Sequence, residues 1–512
     1  MRRCSRIAAA AAGVLVALCP AGMLRAQLLP VETLTEQGLS IWSFPDDGSS
    51  RFVLGVLVGS GARDEGPVPR GVAHFLEHVV LARAGDRPKA AADPELRDRA
   101  RAWNGYTSHE TTVYWLETGV GDWRWAVQWL ADHVVRPRFL PEDIDAEREI
   151  VRQELLTADP HAGGTSYESL LYPGHALGVA VGGEPADLDA IDGAQLQAFH
   201  AAHYRAGNVA VGFAGRVPTQ ECCSAIAVAF APLPAGVPQR PADPVAPHAG
   251  VVVPRGAGSS GAAWMHVGWH LPTDTARDLA CARILGAFLQ QHLFAELRER
   301  LQISYSPSVQ VIAHRDTQRI DCEVRVGEAR ALRTALDVID DAAGALLRAT
   351  DRDFDAARSV ASSALVVDSA ERLTAAMELS WLLRRRGQPP GGYVAATLAT
   401  DRLAVLDYAE RHLGDRARFV VASAPVGGGV SAWALLLLMA VVVLMVDAFG
   451  GFRRTRALGW LLRSVVGRRR GGDAPSRPRG RREPPRDPIR PVNADELEQR
   501  IQQWFEEEER KQ

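Results

Sequence analysis

The sequence predicts an α+β chain of two homologous domains, each a mainly antiparallel sheet with helices packed on one face, plus a C-terminal transmembrane helix. Three observations lead there. First, 512 residues with 47% hydrophobic content can bury more than one core. Second, a helix-then-strand pattern occurs twice: Leu196–His200 followed by the apolar run from Asn208, and Leu406–Glu410 followed by the run from Arg418. Third, a long apolar run near the C-terminus is followed by an arginine-rich stretch.

Taken in order, residues 1–26 read as a secretory signal. Arg2, Arg3 and Arg6 precede the apolar run Ile7–Leu18, and Ala26-Gln27 is a plausible cleavage point; an uncleaved signal anchor is the alternative. Residues 27–231 form the first domain, opening on the strand Phe52–Val58. Residues 74–78 then read His-Phe-Leu-Glu-His. In a helix, positions i and i+4 share a face, so His74 and His78 can direct two imidazoles at one metal ion. Glu77 stands beside them and can take a proton from water on that ion, in the mirror order of the zinc motif H-E-x-x-H.

A third ligand is sought downstream. The spacing of Ile144, Val151 and Leu155 predicts a helix with Glu147 and Glu154 two turns apart on one face. One carboxylate can complete a His-His-Glu site while the other supports a ligand or water; a solvated acidic face is the bland alternative. The Pro-rich stretch 232–254 is the expected linker. Residues 255–425 form the second domain, opening on Ala263–Trp269. Its Asp278–Arg283 stands where the first domain has His74–His78 and offers no ligand set, so one metal ion per chain is expected.

Residues 430–452 are the expected transmembrane helix, built on the run Val430–Val446, with a buried helix as the competing reading. Thirteen arginines against three acidic residues between Arg453 and Arg490 favour the membrane reading, with the catalytic domains extracytoplasmic (periplasmic) and the tail cytoplasmic. Residues 453–512 form that basic tail. It ends in a short acidic helix whose Leu497, Ile501, Trp504 and Phe505 make one apolar stripe, a docking element for a cytoplasmic partner or a frayed end. The net charge of −3 hides an acidic ectodomain, and no nucleic-acid partner is expected. Cys222, Cys223, Cys281 and Cys322 lack zinc-finger spacing and suit buried thiols or disulfides equally.

Several motifs together resemble the pitrilysin/insulinase family of metallopeptidases, which includes the mitochondrial processing peptidase beta subunit. They are Gly59-Ser60-Gly61-Ala62-Arg63-Asp64-Glu65 before the histidines, Asn104-Gly105-Tyr106-Thr107 and Thr112-Val113-Tyr114 after them, and a distal Glu154 at the family's distance from His78. The resemblance implies Zn2+ on His74, His78 and Glu154, with Glu77 as general base and Glu147 as an accessory carboxylate. It also implies an extended peptide substrate paired along the strand of Asn104, and Arg298 with Tyr305 gripping the substrate carbonyl; an ordinary surface arginine and core tyrosine are the alternative. Family members close a four-domain chamber, so the resemblance implies a homodimer, or a heterodimer with a related subunit. It covers residues 30–425 and is more specific in the first half. The expected function is a zinc-dependent endopeptidase; a non-catalytic scaffold subunit or a peptide sensor signalling through the tail are the alternatives.

Overall fold

The computed structural model describes residues 30–423 except 45–49, 67–68, 158–166, 241–242, 253–262, 329, 364–366 and 368. The expected signal segment, transmembrane run and tail lie outside the described residues. Among the described residues no helix is long and apolar enough to cross a membrane.

Strands β1 (Val31–Leu34), β2 (Ser40–Phe44), β3 (Arg51–Val58), β4 (Ala100–Thr107), β5 (Thr112–Gly119) and β6 (Val209–Ala214) form one sheet, ordered β1-β2-β6-β3-β5-β4. Strands β7 (Gly250–Val252), β8 (Ala263–Leu271), β9 (Ser308–Ala313), β10 (Gln318–Val326) and β11 (Arg418–Ser423) form a second, ordered β7-β11-β8-β10-β9. The repeat is visible in the pairing: β2 runs parallel to β6 as β7 does to β11, and every other pair is antiparallel. The second order reproduces the first without β1. β7 falls inside the Pro-rich stretch, which adds a strand to the second sheet as well as joining the halves.

Five helices matter for the site: α1 (Val72–Ala82), α2 (Trp123–Val135), α3 (Pro141–Thr157), α4 (Ala276–Leu293) and α5 (Ala370–Arg385). The first core lies between α1, α2 and α3 and one face of the first sheet. Phe75, Leu76, Val79, Trp129, Leu130, Ile144 and Val151 meet Phe52, Leu54, Val56, Tyr114 and Phe213 there. α4 occupies the equivalent place on the second sheet, where Ile284, Leu285 and Phe288 pack on Val267, Ile320 and Val324.

One expectation needs correction. The first sheet is covered on both faces, because α5 of the second half packs on its back. Leu373, Met377 and Trp381, four residues apart, form a ridge buried against Val53, Leu57, Val113 and Ala210. The strands make room for it: a Cβ on Gly55 or on its register partner Gly212 would stand 2.8 or 2.6 Å from Met377 Sδ. Full burial of each such side chain contributes about 1.5–3 kcal/mol. In exchange, Tyr167, Leu171, Tyr172 and Leu177 of the first half cover the back of the second sheet at Trp264, Phe419 and Val421. Arg319, 1% exposed, is held there by the hydroxyls of Tyr172 (3.0 Å) and Tyr167 (3.1 Å) and by Glu168 (3.1 Å).

Candidate metal centre

α1 begins at a fixed point. Gly71 has φ 89, a left-handed conformation that favours glycine. Glu65 caps the start: its two oxygens accept hydrogen bonds from the backbone N–H groups of Gly71 (2.8 Å) and Ala73 (2.7 Å). Two residues earlier, the fully buried Arg63 side chain pairs with Glu110 (2.8 Å), Asp243 (3.1 Å) and Asp316 (2.6 Å). The segment leading into α1 is thereby tied to the linker and to the second half.

From that start, the 3.6-residue period puts His74, Glu77 and His78 on the side of α1 that meets α3 and β4. α3 brings Glu147 and Glu154 to the same place. His74 Nε2 and His78 Nε2 lie 3.5 and 3.2 Å from Glu154 Oε2, and His78 Nδ1 lies 3.5 Å from Glu147 Oε2. One ligand atom from each of His74, His78 and Glu154 falls within 4.8 Å of the other two.

The electrostatics follow from burial. Desolvation, helped by His78, lowers the His74 pKa to about 4, so this imidazole is neutral at pH 7 and its lone pair is free. Desolvation also opposes protonation of His78. The hydrogen bond that His78 donates to Glu147 and the charges of Glu77, Glu154 and Glu147 outweigh it and raise the His78 pKa. Glu77 is 5% exposed, and burial raises its pKa to about 7 despite His78 and the hydrogen bond from Thr107 Oγ1 (3.1 Å). Gly105 on β4 leaves space for that carboxylate: a Cβ there would stand 2.9 Å from Glu77 Oε1. Glu154 is half exposed, so the cluster is open to solvent.

These residues fit zinc. Ligands about 2.0–2.1 Å from a tetrahedral zinc ion lie roughly 3.3 Å apart, and the two imidazole-to-carboxylate distances fall on either side of that value. His74 Nδ1 is buried without a partner, which leaves Nε2 as the nitrogen facing the cluster. Two imidazoles and one carboxylate leave a fourth position open, the catalytic rather than the structural pattern.

The remaining expected residues lie apart. Asn104 is exposed on β4, an edge strand, and its Oδ1 accepts from the N–H of Gly105 (2.9 Å). Arg298 sits in a π-helical segment, Phe294–Arg300, with its guanidinium 4.3 Å from the ring of Tyr305, which is 81% exposed. Neither Arg298 nor Tyr305 contacts the cluster. Two residues quoted only as motif letters acquire roles: Thr107 holds Glu77, and Glu65 caps α1. The four described cysteines are free buried thiols.

Fold and cluster define a class: a two-repeat α+β chain in which the first repeat alone carries an H-x-x-E-H helix and a distal glutamate. The sequence matches the model for insulinase (peptidase family M16) over residues 45–167 and that for the peptidase M16 inactive domain over residues 190–360. The chain belongs to the M16 (insulinase) family.

Among its relatives, it is 29% identical over 207 residues to mitochondrial-processing peptidase subunit beta of Blastocladiella emersonii, covering 40% of this chain and 44% of that protein. It is 31% identical over 171 residues to an uncharacterized zinc protease of Mycobacterium leprae, covering 33% and 38%. It is 28% identical over 220 residues to the ubiquinol-cytochrome-c reductase complex core protein I of Euglena gracilis, covering 42% and 44%. The matched region is thus under half of each relative's length. In fold, it resembles a protease from Helicobacter pylori (TM-score 0.65, 17% identity, 77% of this chain and 99% of that one). It also resembles a Pseudomonas fluorescens peptidase M16 inactive domain (TM-score 0.66, 18% identity, 77% and 98%).

Proposed function

We propose that this chain is a zinc-dependent endopeptidase that hydrolyses peptides or unfolded polypeptide segments. The observation that carries the reading is the convergence of His74 and His78 from α1 with Glu154 from α3, with the carboxylate of Glu77 beside them.

His74, His78 and Glu154 hold one zinc ion per chain. Zinc in such a site supplies a lowered pKa for water and polarisation of the scissile carbonyl. The chain's own groups do the rest. Thr107 holds Glu77 Oε2, which leaves Oε1 to accept a proton and return it to the leaving amine. A pKa near neutrality suits both tasks. Glu147 fixes the His78 ring through Nδ1 and leaves Nε2 for the metal. The open edge of β4, with Asn104 on it, pairs with an extended substrate backbone. Arg298 and the exposed Tyr305 serve as donors to the substrate oxygen in a second copy or a related subunit, so the working form is a homodimer or heterodimer.

The proposed setting rests on sequence alone. The chain is exported, anchored by the run Val430–Val446 as a single pass, and keeps its catalytic domains extracytoplasmic, with a cytoplasmic partner for the tail helix. A second reading, a scaffold subunit, draws support from the likeness to a core protein of a respiratory complex.

Incubation of the full-length protein with a mixed peptide library tests the proposal. Internal cleavages that stop on chelation and return with zinc are the expected result. A metal-free, inert wild-type protein would favour the scaffold.

A further inference from the structure

Where the two halves meet, the β4–β5 turn of the first faces the β9–β10 turn of the second. The rings of His109 and His314 stand 5.8 Å apart there, and the backbone N–H of Arg315 donates to Glu110 (2.9 Å). Beside this junction lies a cavity of about 300 Å3, the lower end of the range for small-ligand sites. The turn Ser108–Thr111, the end of β9, α4 and α5 all contribute to it.

Its charges are unevenly satisfied. Both carboxylates are committed: Glu110 accepts from Arg63 and from the Arg315 backbone, and Glu378 accepts from the hydroxyls of Thr111 (2.9 Å) and Tyr106. Both guanidinium groups are not. Arg283 makes no hydrogen bond or close ion pair among the described residues; the ring of Tyr393 lies at 5.7 Å, and the Arg283 charge acts on Glu378 from a distance. Arg385 reaches only the carbonyl of Gly59, at 3.4 Å. Val311, Leu379 and Leu382 add apolar side chains to the lining. Two guanidinium groups without a close ion pair, beside apolar side chains, suit a planar carboxylate carrying an apolar substituent.

We propose that this junction cavity binds the α-carboxylate of an apolar residue, either at a peptide C-terminus or as a free amino acid. Arg283 and Arg385 take the carboxylate, and the side chain lies against Val311, Leu379 and Leu382. The site does not require the zinc-peptidase reading, because its groups belong to the domain junction and none is in the metal cluster. Its occupant would bridge the two halves and stabilise their docking.

Titration calorimetry and thermal melting of the full-length protein with N-acetylleucine, leucine, leucinamide and inorganic phosphate provide the test. Saturable binding of N-acetylleucine with a raised melting temperature is expected, with leucinamide and phosphate at least tenfold weaker. Binding of N-acetylleucine identifies a peptide terminus as the source, and binding of leucine alone identifies the free amino acid. Arg283→Gln should weaken binding at least tenfold. Ala375→Phe, which fills the cavity from an exposed position, should abolish binding while sparing the charges. No saturable binding of either leucine ligand at millimolar concentration would overturn the proposal. So would equal binding of leucinamide or phosphate, or wild-type affinity in both folded variants.

Discussion

Docking of α5 on the first sheet depends on an absent side chain at Gly59, and Gly59→Ala measures that dependence. The glycine has no left-handed φ, so the backbone accepts alanine and the cost comes from contact alone. The new Cβ would stand 2.2 Å from Cζ2 and 2.5 Å from Cε2 of Trp381, whereas ordinary carbon contacts begin near 3.5 Å. The indole must therefore retreat by more than about 1 Å. It is 5% exposed and packs 6.3 Å from the ring of Trp42, so it has little room to do so. Overpacking of this kind costs about 1–3 kcal/mol, and Trp381→Ala alone about 3–5 kcal/mol. In the double variant the added methyl enters the vacated space, so the pair should cost at least about 1 kcal/mol less than the sum. Urea unfolding of the four proteins gives the cycle. Additivity within about 0.5 kcal/mol would refute the account of this interface.

Other predictions concern the site and its surroundings. Glu147→Gln should weaken zinc binding about 10–100-fold in competition with a chelating dye, whereas Glu149→Gln, an exposed residue on the same helix, should leave it unchanged. Buried His133 and half-buried His270 stay neutral in the fold down to about pH 4 because desolvation lowers their pKa values. Unfolded histidines take up a proton near 6.5, so stability is full above that pH and falls between about 6.5 and 4. The loss is up to about 3 kcal/mol per histidine, and denaturant melts across that range measure it. All four described thiols are buried, with the Cys222 pKa raised to about 12 by burial, so the native protein should resist a thiol reagent that labels the unfolded chain fully.

Much of the site was legible because helical periodicity is a local property. The His74–His78 spacing and the Ile144, Val151, Leu155 pattern each define a helix face without knowledge of the fold, and α1 and α3 carry those faces. The repeat was legible for the same reason, since β6 and β11 each follow a helix and run through an apolar stretch. The partner of α5 was not legible. Its buried residues include Leu373, Met377, Leu379, Trp381 and Leu383, which surround most of the helix, because it packs between the first sheet and Tyr393 of the second half. Such a pattern shows burial but not against what. The roles of Glu65 and Thr107 were hidden because each depends on a contact across a turn or between a strand and a helix.

The central claim is that Glu77 moves the proton at a metal held by other residues. Measuring zinc content and peptide turnover on the same sample of wild type and Glu77→Gln tests it most directly. The account predicts one zinc per chain in both proteins and a fall in turnover of about 10²–10⁴-fold in the variant. Normal turnover in zinc-loaded Glu77→Gln would contradict it.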